Sequence, residues 1–201
     1  MADKETKECI IIGGGYSIID QCQVDNIKNS KLFKIGCNKV FETFNIDCLA
    51  YFDWKFEKVW HDKIKVLNCE KIAPHNPCEI ENKFTDLGTT YIEESKRPQL
   101  NAREGYYTGY NTGTFATQIA IIKGFTKIYL LGMDCMLING QTHHHGGYGV
   151  KGITNETYSK MIWTFEILGK FAKEHGIEIV NCSYNSLLDR DIFPYDRCFN
   201  G

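Results

Sequence analysis

Three glycines at the end of an apolar run are the first residues of this chain whose spacing suggests chemistry. Cys9-Ile10-Ile11-Ile12 runs into Gly13-Gly14-Gly15, and Ser17 follows. A short, fully apolar, β-branched run is the pattern of a buried parallel strand. Glycine has no Cβ, so a ligand can come close to its backbone. A helix opening near Ser17 would aim free N–H groups and the positive end of its dipole at whatever fills the turn. Phosphate suits such a place; the other reading is a turn that only reverses the chain. Gly13 and Gly15 form G-x-G, but the third glycine of a dinucleotide fingerprint would fall at Ile18, and no Gly-Lys-Ser/Thr follows. The turn is therefore neither a Rossmann fingerprint nor a P-loop.

Two aspartates carry a second possibility. Asp53 and Asp134 each follow an apolar run. They read either as helix N-caps or turn residues, or as functional carboxylates. His143-His144-His145 stand in a polar loop that also holds Gly140, Gly146, Gly147, Gly149 and Gly152. A histidine there could serve as a general base or phosphate contact, or bind a transition metal; the loop could equally be solvated surface. Alternation along an extended chain lets His143 and His145 share a side. Tyr106, Tyr107 and Tyr110 could stack on a base or bond a phosphate, or form a tyrosine-rich surface loop.

The elements that must position these residues alternate. Strands are expected at 10–12, 33–37, 48–52, 63–68, 127–131 and 177–180, with helices at 18–29, 39–44, 54–60, 114–124 and 155–175. Residues 69–110 hold three of the four prolines without a sustained period and read as an irregular excursion, with a small hairpin around 84–92. Such alternation predicts an α/β fold: a three-layer Rossmann-like domain over 1–201, with a mostly parallel sheet and helices on both faces. Ligands bind outside the carboxyl ends of such strands. Ser17, Asn38, Asp53 and Asp134 each follow a strand and should meet at that edge, under two long loops at about 69–110 and 139–152.

Composition narrows the function classes. A net charge of −2 without a basic stripe argues against a nucleic-acid binder. No apolar run is long enough to span a membrane, and the charged first eight residues do not read as a secretory signal. The nine cysteines, scattered and without C-x-x-C, read as reduced thiols of a cytoplasmic protein. Trp54, Phe56 and Trp60 read as core or as a subunit contact, which leaves a homo-oligomer open.

Gly13-Gly14-Gly15-Tyr16-Ser17, Ile35-Gly36-Cys37-Asn38, Tyr51-Phe52-Asp53, Asn111-Thr112-Gly113 and Tyr129-Leu130-Leu131-Gly132-Met133-Asp134 stand in one order. That order resembles the bacterial CMP-sialic acid-dependent sialyltransferases of the lipooligosaccharide type. It also resembles the 6-hydroxymethylpterin diphosphokinase-like family with its bacteriophage-encoded relatives, to which Gln141–Gly146 and Asn181-Cys182-Ser183 look closest. The sialyltransferase resemblance implies that Gly14, Gly15 and Ser17 line a nucleotide phosphate site and that Asn38 contacts the nucleotide. It implies that Asn111, Thr112, Gly113 and Thr114 approach the donor and that Asp134 sits near the ribose or a metal. The family's catalytic histidine lies near the start of the long helix, where this chain has Thr157-Tyr158. The implied function is a transferase using a nucleotide-activated donor, most simply a glycosyltransferase; a phage sequestering protein and a pyrophosphokinase are the alternatives, and the pterin kinase resemblance implies a metal-bound triphosphate with Mg²⁺ held by Asp53 and Asp134.

Overall fold

The computed structural model describes residues 6–74, 85–141, 143 and 154–197. Nine strands and four α-helices alternate along it: β1 (Glu8–Ile12), α1 (Gln21–Asn29), β2 (Phe33–Cys37), β3 (Cys48–Ala50), α2 (Trp54–Lys65), β4 (Glu70–Pro74), β5 (Thr90–Ile92), β6 (Glu94–Ser95), β7 (Tyr106–Tyr107), α3 (Thr112–Ile122), β8 (Lys127–Leu131), α4 (Asn155–Glu174) and β9 (Glu178–Asn181). Seven strands form one sheet in the order β5-β4-β3-β2-β1-β8-β9, and every pairing in it is parallel. This is the expected Rossmann-like α/β architecture.

The sequence of β1 explains its central place. Cys9, Ile10, Ile11 and Ile12 are all fully buried. Cys9 and Ile11 join the cluster formed with α3 and α4, including Phe115, Ile119, Phe165 and Leu168. Ile10 and Ile12 join Ile18, Ile27 and Val40 on the other face. Alternation therefore feeds two cores from one strand. Each fully buried isoleucine contributes on the order of 1.5–3 kcal/mol. Farther along the sheet, Phe56 and Ile64 of α2 cover Leu49, Tyr51 and Ala73, so helices lie on both faces.

Several local expectations give way. Residues 63–68 are not a strand, because α2 continues through Lys65. The alternation Lys63-Ile64-Lys65-Val66 looks β-like, but Ile64 extends the Phe56–Trp60 helical stripe and Val66 is exposed. The helix expected from residue 18 is a four-residue 3-10 turn, Tyr16–Ile19, followed by α1. A 3-10 turn over Asn38–Glu42 likewise replaces the helix at 39–44. The 69–110 stretch, read as irregular, contributes β4 and β5 to the sheet, and β5 runs parallel to β4 rather than forming a hairpin. β6 and β7 pair beyond it as a small parallel sheet. Buried Gln118 of α3 ties this excursion down: its side chain accepts from the Gln99 N–H (3.0 Å) and donates to the Gln99 carbonyl (2.7 Å). Among the described residues, no helix is long and apolar enough to cross a membrane, and Cys9, Cys37, Cys48, Cys69, Cys135 and Cys182 are free thiols.

A charged clasp holds the turn before β5 to α2. His61 lies 3.0 Å from Asp62 and 2.9 Å from Asp86, and Lys65 lies 2.7 Å from Asp86. Hydrogen bonds to Asp62 and then Asp86 raise the His61 pKa above 6.5. Lys65 and then His61 lower that of Asp86 to about 2. The Asp86 contribution is present above the unfolded carboxylate value and falls away as pH drops toward 2. The His61 contribution is complete below 6.5 and is lost as pH rises through its raised folded value. Amide exchange in residues 86–92 is therefore expected to be slower, after correction for intrinsic rates, at pH 5.5 than at pH 8.5. Equal protection at both would show that the clasp does not hold this segment.

Candidate active site at the strand switch

From β1 the chain moves outward through β2, β3, β4 and β5, then returns to place β8 and β9 on the other side of β1. Such a reversal of strand order opens a crevice between two strand ends, the usual ligand site of open α/β sheets. Here the crevice lies between the ends of β1 and β8. Two backbone bonds tie their turns together: Gly13 N–H to the Leu131 carbonyl (2.7 Å) and Gly15 N–H to the Gly132 carbonyl (2.8 Å). Gly132 sits at φ +68°, in the left-handed region. A Cβ on Gly15 would stand 2.5 Å from the Gly132 oxygen and 2.7 Å from the Asp134 carboxylate. A Cβ on Gly13 would meet the same oxygen and the Met133 sulfur. These two glycines thus let two turns cross in contact. Gly14 stands between them on the cavity wall.

Asp134 changes the reading of the turn. Its carboxylate accepts the Ser17 N–H (2.9 Å) and the Ser17 hydroxyl, and the residue is buried. The anion that satisfies Ser17 is supplied by the chain itself. Both Ser17 donors face Asp134, and Ser17 is not among the residues lining the cavity. Asp134 is correspondingly a brace between the two turns rather than a free acid or base, because each of its oxygens is engaged. The tail beyond β9 supports the same bend. Met133 N–H donates to the Ser183 hydroxyl (3.1 Å), and Leu187 N–H donates to the Asp134 carbonyl (3.0 Å).

The cavity at the switch has a volume of about 310 Å³, within the range of ligand pockets. The glycine turn, residues 132–136, Asn38, Phe52 and Asp53 line it. The first turn of α3 contributes Asn111, Thr112 and Gly113, and α4 contributes Tyr158, Met161 and Phe165. Asn38 donates to the Thr112 hydroxyl (3.2 Å). Asn111 is the N-cap of α3, accepting the Thr114 N–H at 2.8 Å. Its amide nitrogen lies 2.7 Å from the Thr114 hydroxyl and 3.0 Å from that of Thr164. Thr114 is therefore turned into this buried network and not onto the cavity wall. Asp53 borders the cavity and caps α2, accepting the Lys55 N–H at 2.8 Å.

Asn38, Asp53, Asp134 and Ser17 thus share the carboxyl edge of the sheet. His143 also borders the cavity, whereas His144 and His145 lie outside the described residues. The preceding segment closes tightly: Ile138 and Gln141 exchange two backbone hydrogen bonds around Asn139-Gly140, both left-handed. Gly140 forms this turn, whereas Gly146, Gly147, Gly149 and Gly152 lie outside the described residues. Of the four described non-glycine residues with left-handed φ, three border the cavity: Asn38, Tyr110 and Cys135. Strained backbone of this kind gathers at functional sites.

One residue had no composition or spacing signal. Tyr158 is buried on α4, borders the cavity, and its hydroxyl has no hydrogen-bond partner among the described residues. An unpaired buried hydroxyl costs about 1–3 kcal/mol, which a ligand can recover. Burial, then the nearby Cys135 and Asp134, raise its pKa, so the phenol stays a donor. Only the resemblance drew attention to its position. The Cys37 and Cys135 thiols on the wall are pushed up to about 12 by burial and remain neutral, unlike nucleophilic cysteines. Asp53 caps α2, both Asp134 oxygens accept from Ser17, and no group of three metal-binding side chains occurs among the described residues.

No protein-family model and no curated protein matches the chain. Among solved structures, it is similar to the sialyltransferase CstII from Campylobacter jejuni in complex with the substrate analogue CMP-3FNeuAc. The TM-score is 0.55 at 16% identity, over 94% of this chain and 85% of that one. The same enzyme in complex with cytidine-5'-monophosphate gives 0.50 at 17% identity, over the same shares. The chain has the fold of this sialyltransferase.

Proposed function

We propose that this protein is a glycosyltransferase that binds a nucleotide-activated sugar in the β1/β8 cavity. The observation that carries the reading is the placement of that cavity. It lies at the strand-order switch, between a glycine turn and the first turn of α3, in a fold shared with an enzyme solved with CMP and a CMP-sugar analogue. The α3 N-terminus offers backbone N–H groups and a positive dipole end to a phosphate. Asn38 and Thr112 offer polar side chains beside it. The Tyr158 phenol supplies a donor whose hydrogen bond is completed by the ligand.

In the transfer, an acceptor hydroxyl attacks the anomeric carbon of the donor. The bond from that carbon to the phosphate oxygen breaks, and the nucleotide leaves with the electron pair. His143 is the described cavity residue suited to take the proton from the acceptor hydroxyl. Asp134 holds the two turns in register, and Gly14 leaves room for the phosphate.

A thermal-shift panel of nucleotides and nucleotide sugars, followed by a product assay with each hit, tests this reading. Cytidine nucleotides are expected to raise Tm in a saturable way, and folded Gly14→Val protein is expected to lose the shift. Absence of a nucleotide shift in the wild-type protein, or an unchanged shift in folded Gly14→Val protein, would overturn the assignment.

A further inference from the structure

A buried carboxylate that the mechanism does not use closes the corner between β3 and α2. Glu57 stands in the first turn of α2 and is 3% exposed. Its Oε1 accepts the Tyr51 hydroxyl at 2.8 Å and the Tyr91 hydroxyl at 2.7 Å. The Thr89 hydroxyl lies 2.6 Å from the Tyr51 oxygen. Because Tyr51 donates to Glu57, Thr89 donates to Tyr51. Burial pushes both phenols up, so each remains a donor. Glu57 is thus held by phenols rather than by a cation, and the positive end of the α2 dipole favours its charge.

The corner carries two residues of the cavity. Tyr51 follows β3 directly, and Phe52 and Asp53 come next, before α2 begins at Trp54. Phe52 and Asp53 both border the cavity. The Tyr51–Glu57 bond joins residues six positions apart, one on either side of this pair. Within it, the Asp53 carbonyl accepts the Phe56 N–H at 2.9 Å. Tyr91 comes from β5, two strands farther out, and fastens the edge of the sheet to the same oxygen.

Topology says which part of a ligand this corner meets. The glycine turn follows β1, Asn38 follows β2 and Phe52-Asp53 follow β3, and these three strands are neighbours. Adjacent strands lie about 4.8 Å apart, so the corner stands about 10 Å from the glycine turn. A ligand whose phosphate sits between that turn and the α3 N-terminus reaches the corner with its other end. Phe52 offers a ring there and Asp53 an acceptor. A carboxylate is an expensive way to fill a buried position, since an apolar side chain carries no desolvation penalty. What it adds is direction: one oxygen takes two phenols, one from the corner and one from β5.

We infer that Glu57 is a positioning residue, whose clasp on Tyr51 and Tyr91 holds Phe52 and Asp53 at the far end of the donor cavity. The identity of the ligand rests on the glycosyltransferase reading; the clasp itself does not. Two measurements keep them apart: relaxation of the Phe52 and Asp53 backbone amides in the ligand-free protein, and titration with CMP. Both are made on wild-type, Glu57→Leu, Glu57→Gln and Tyr91→Phe protein. Glu57→Leu is expected to lower the order parameters of both amides and to weaken CMP about tenfold, the worth of one aromatic contact. Glu57→Gln keeps an acceptor oxygen and should restore both readings. Tyr91→Phe removes one donor, acts in the same direction as Glu57→Leu, and replaces it if that protein does not fold. The CMP loss should largely vanish in a Phe52→Ala background and persist in full in a Tyr158→Phe background, because the clasp acts through the corner and not through α4. Unchanged order parameters in Glu57→Leu and Tyr91→Phe, or a Glu57→Gln protein as loose as Glu57→Leu, would overturn the clasp. So would a CMP loss of equal size in both backgrounds, which general loosening produces. CMP binding unchanged in every variant would overturn the positioning role and leave the donor reading standing. A corner that loosens and is rescued in a protein that takes no CMP would support the clasp and defeat the donor reading.

Discussion

Alanine at His143 is expected to lower sugar transfer by about 10²–10⁴-fold with little change in donor affinity. His143 borders the cavity, where, in the proposed transfer, an acceptor hydroxyl loses its proton as the new bond forms. Removing a general base affects the transition state and leaves nucleotide contacts in place, so kcat should fall while the nucleotide titration curve stays put. The same substitution at His144 and at His145 completes the comparison. A fall in donor affinity without a fall in kcat would make His143 a ligand clamp. Full activity in all three variants would return the histidines to solvated surface and shift the protein toward a binder that sequesters its nucleotide. Because Asp134 is engaged with Ser17, it is a poor substitute for the missing base.

Gly15→Ala is expected to destabilise the fold by about 3 kcal/mol or more. Gly15 sits at φ −61° and ψ 156°, a conformation that alanine adopts freely. The cost is therefore steric. The new methyl would press on the Gly132 carbonyl and the Asp134 carboxylate, at 2.5 and 2.7 Å. Neither can withdraw cheaply: the carbonyl accepts the Gly15 N–H, and the carboxylate holds Ser17. Gly124 is the comparison. It ends α3 at φ +79° with nothing near its missing Cβ, so Gly124→Ala should cost only about 1 kcal/mol, from backbone conformation alone. Urea midpoints at constant m measure both. A Gly15→Ala protein no less stable than Gly124→Ala would show that the two turns do not cross as tightly as described.

Legibility followed the range of the interactions. The buried strands β1 and β8, the long helix α4 and the alternation that makes the sheet parallel were written locally, because apolar period and caps act over a few residues. Asn111 and Thr154 are such signals: each caps its helix within three residues of itself. Where propensity was ambiguous, tertiary contact decided. Ile64 extends a helix because its neighbours Phe56 and Trp60 already lie on β3 and β4. β5 has three residues, too few to show a period, and is a strand because β4 offers it an edge.

The site divides in the same way. Sequence alone determined that glycines, an asparagine and two aspartates follow strands, and parallel connection then brings them to one edge. It could not say what each does there, since that depends on partners more than a hundred residues away. Ser17 and Asp134 are separated by 117 positions, and their contact braces the turns that follow β1 and β8. Gly13 and Gly15 read as room for a ligand, and the folded chain uses them as room for the Gly132 turn. Tyr158 carried no signal in composition or spacing, and the fold leaves its hydroxyl at a cavity with no hydrogen-bond partner among the described residues. Local physics wrote the elements and the edge on which they end. Only the tertiary structure, by closing β1 against β8, decided which polar groups are satisfied within the chain and which are left for a ligand.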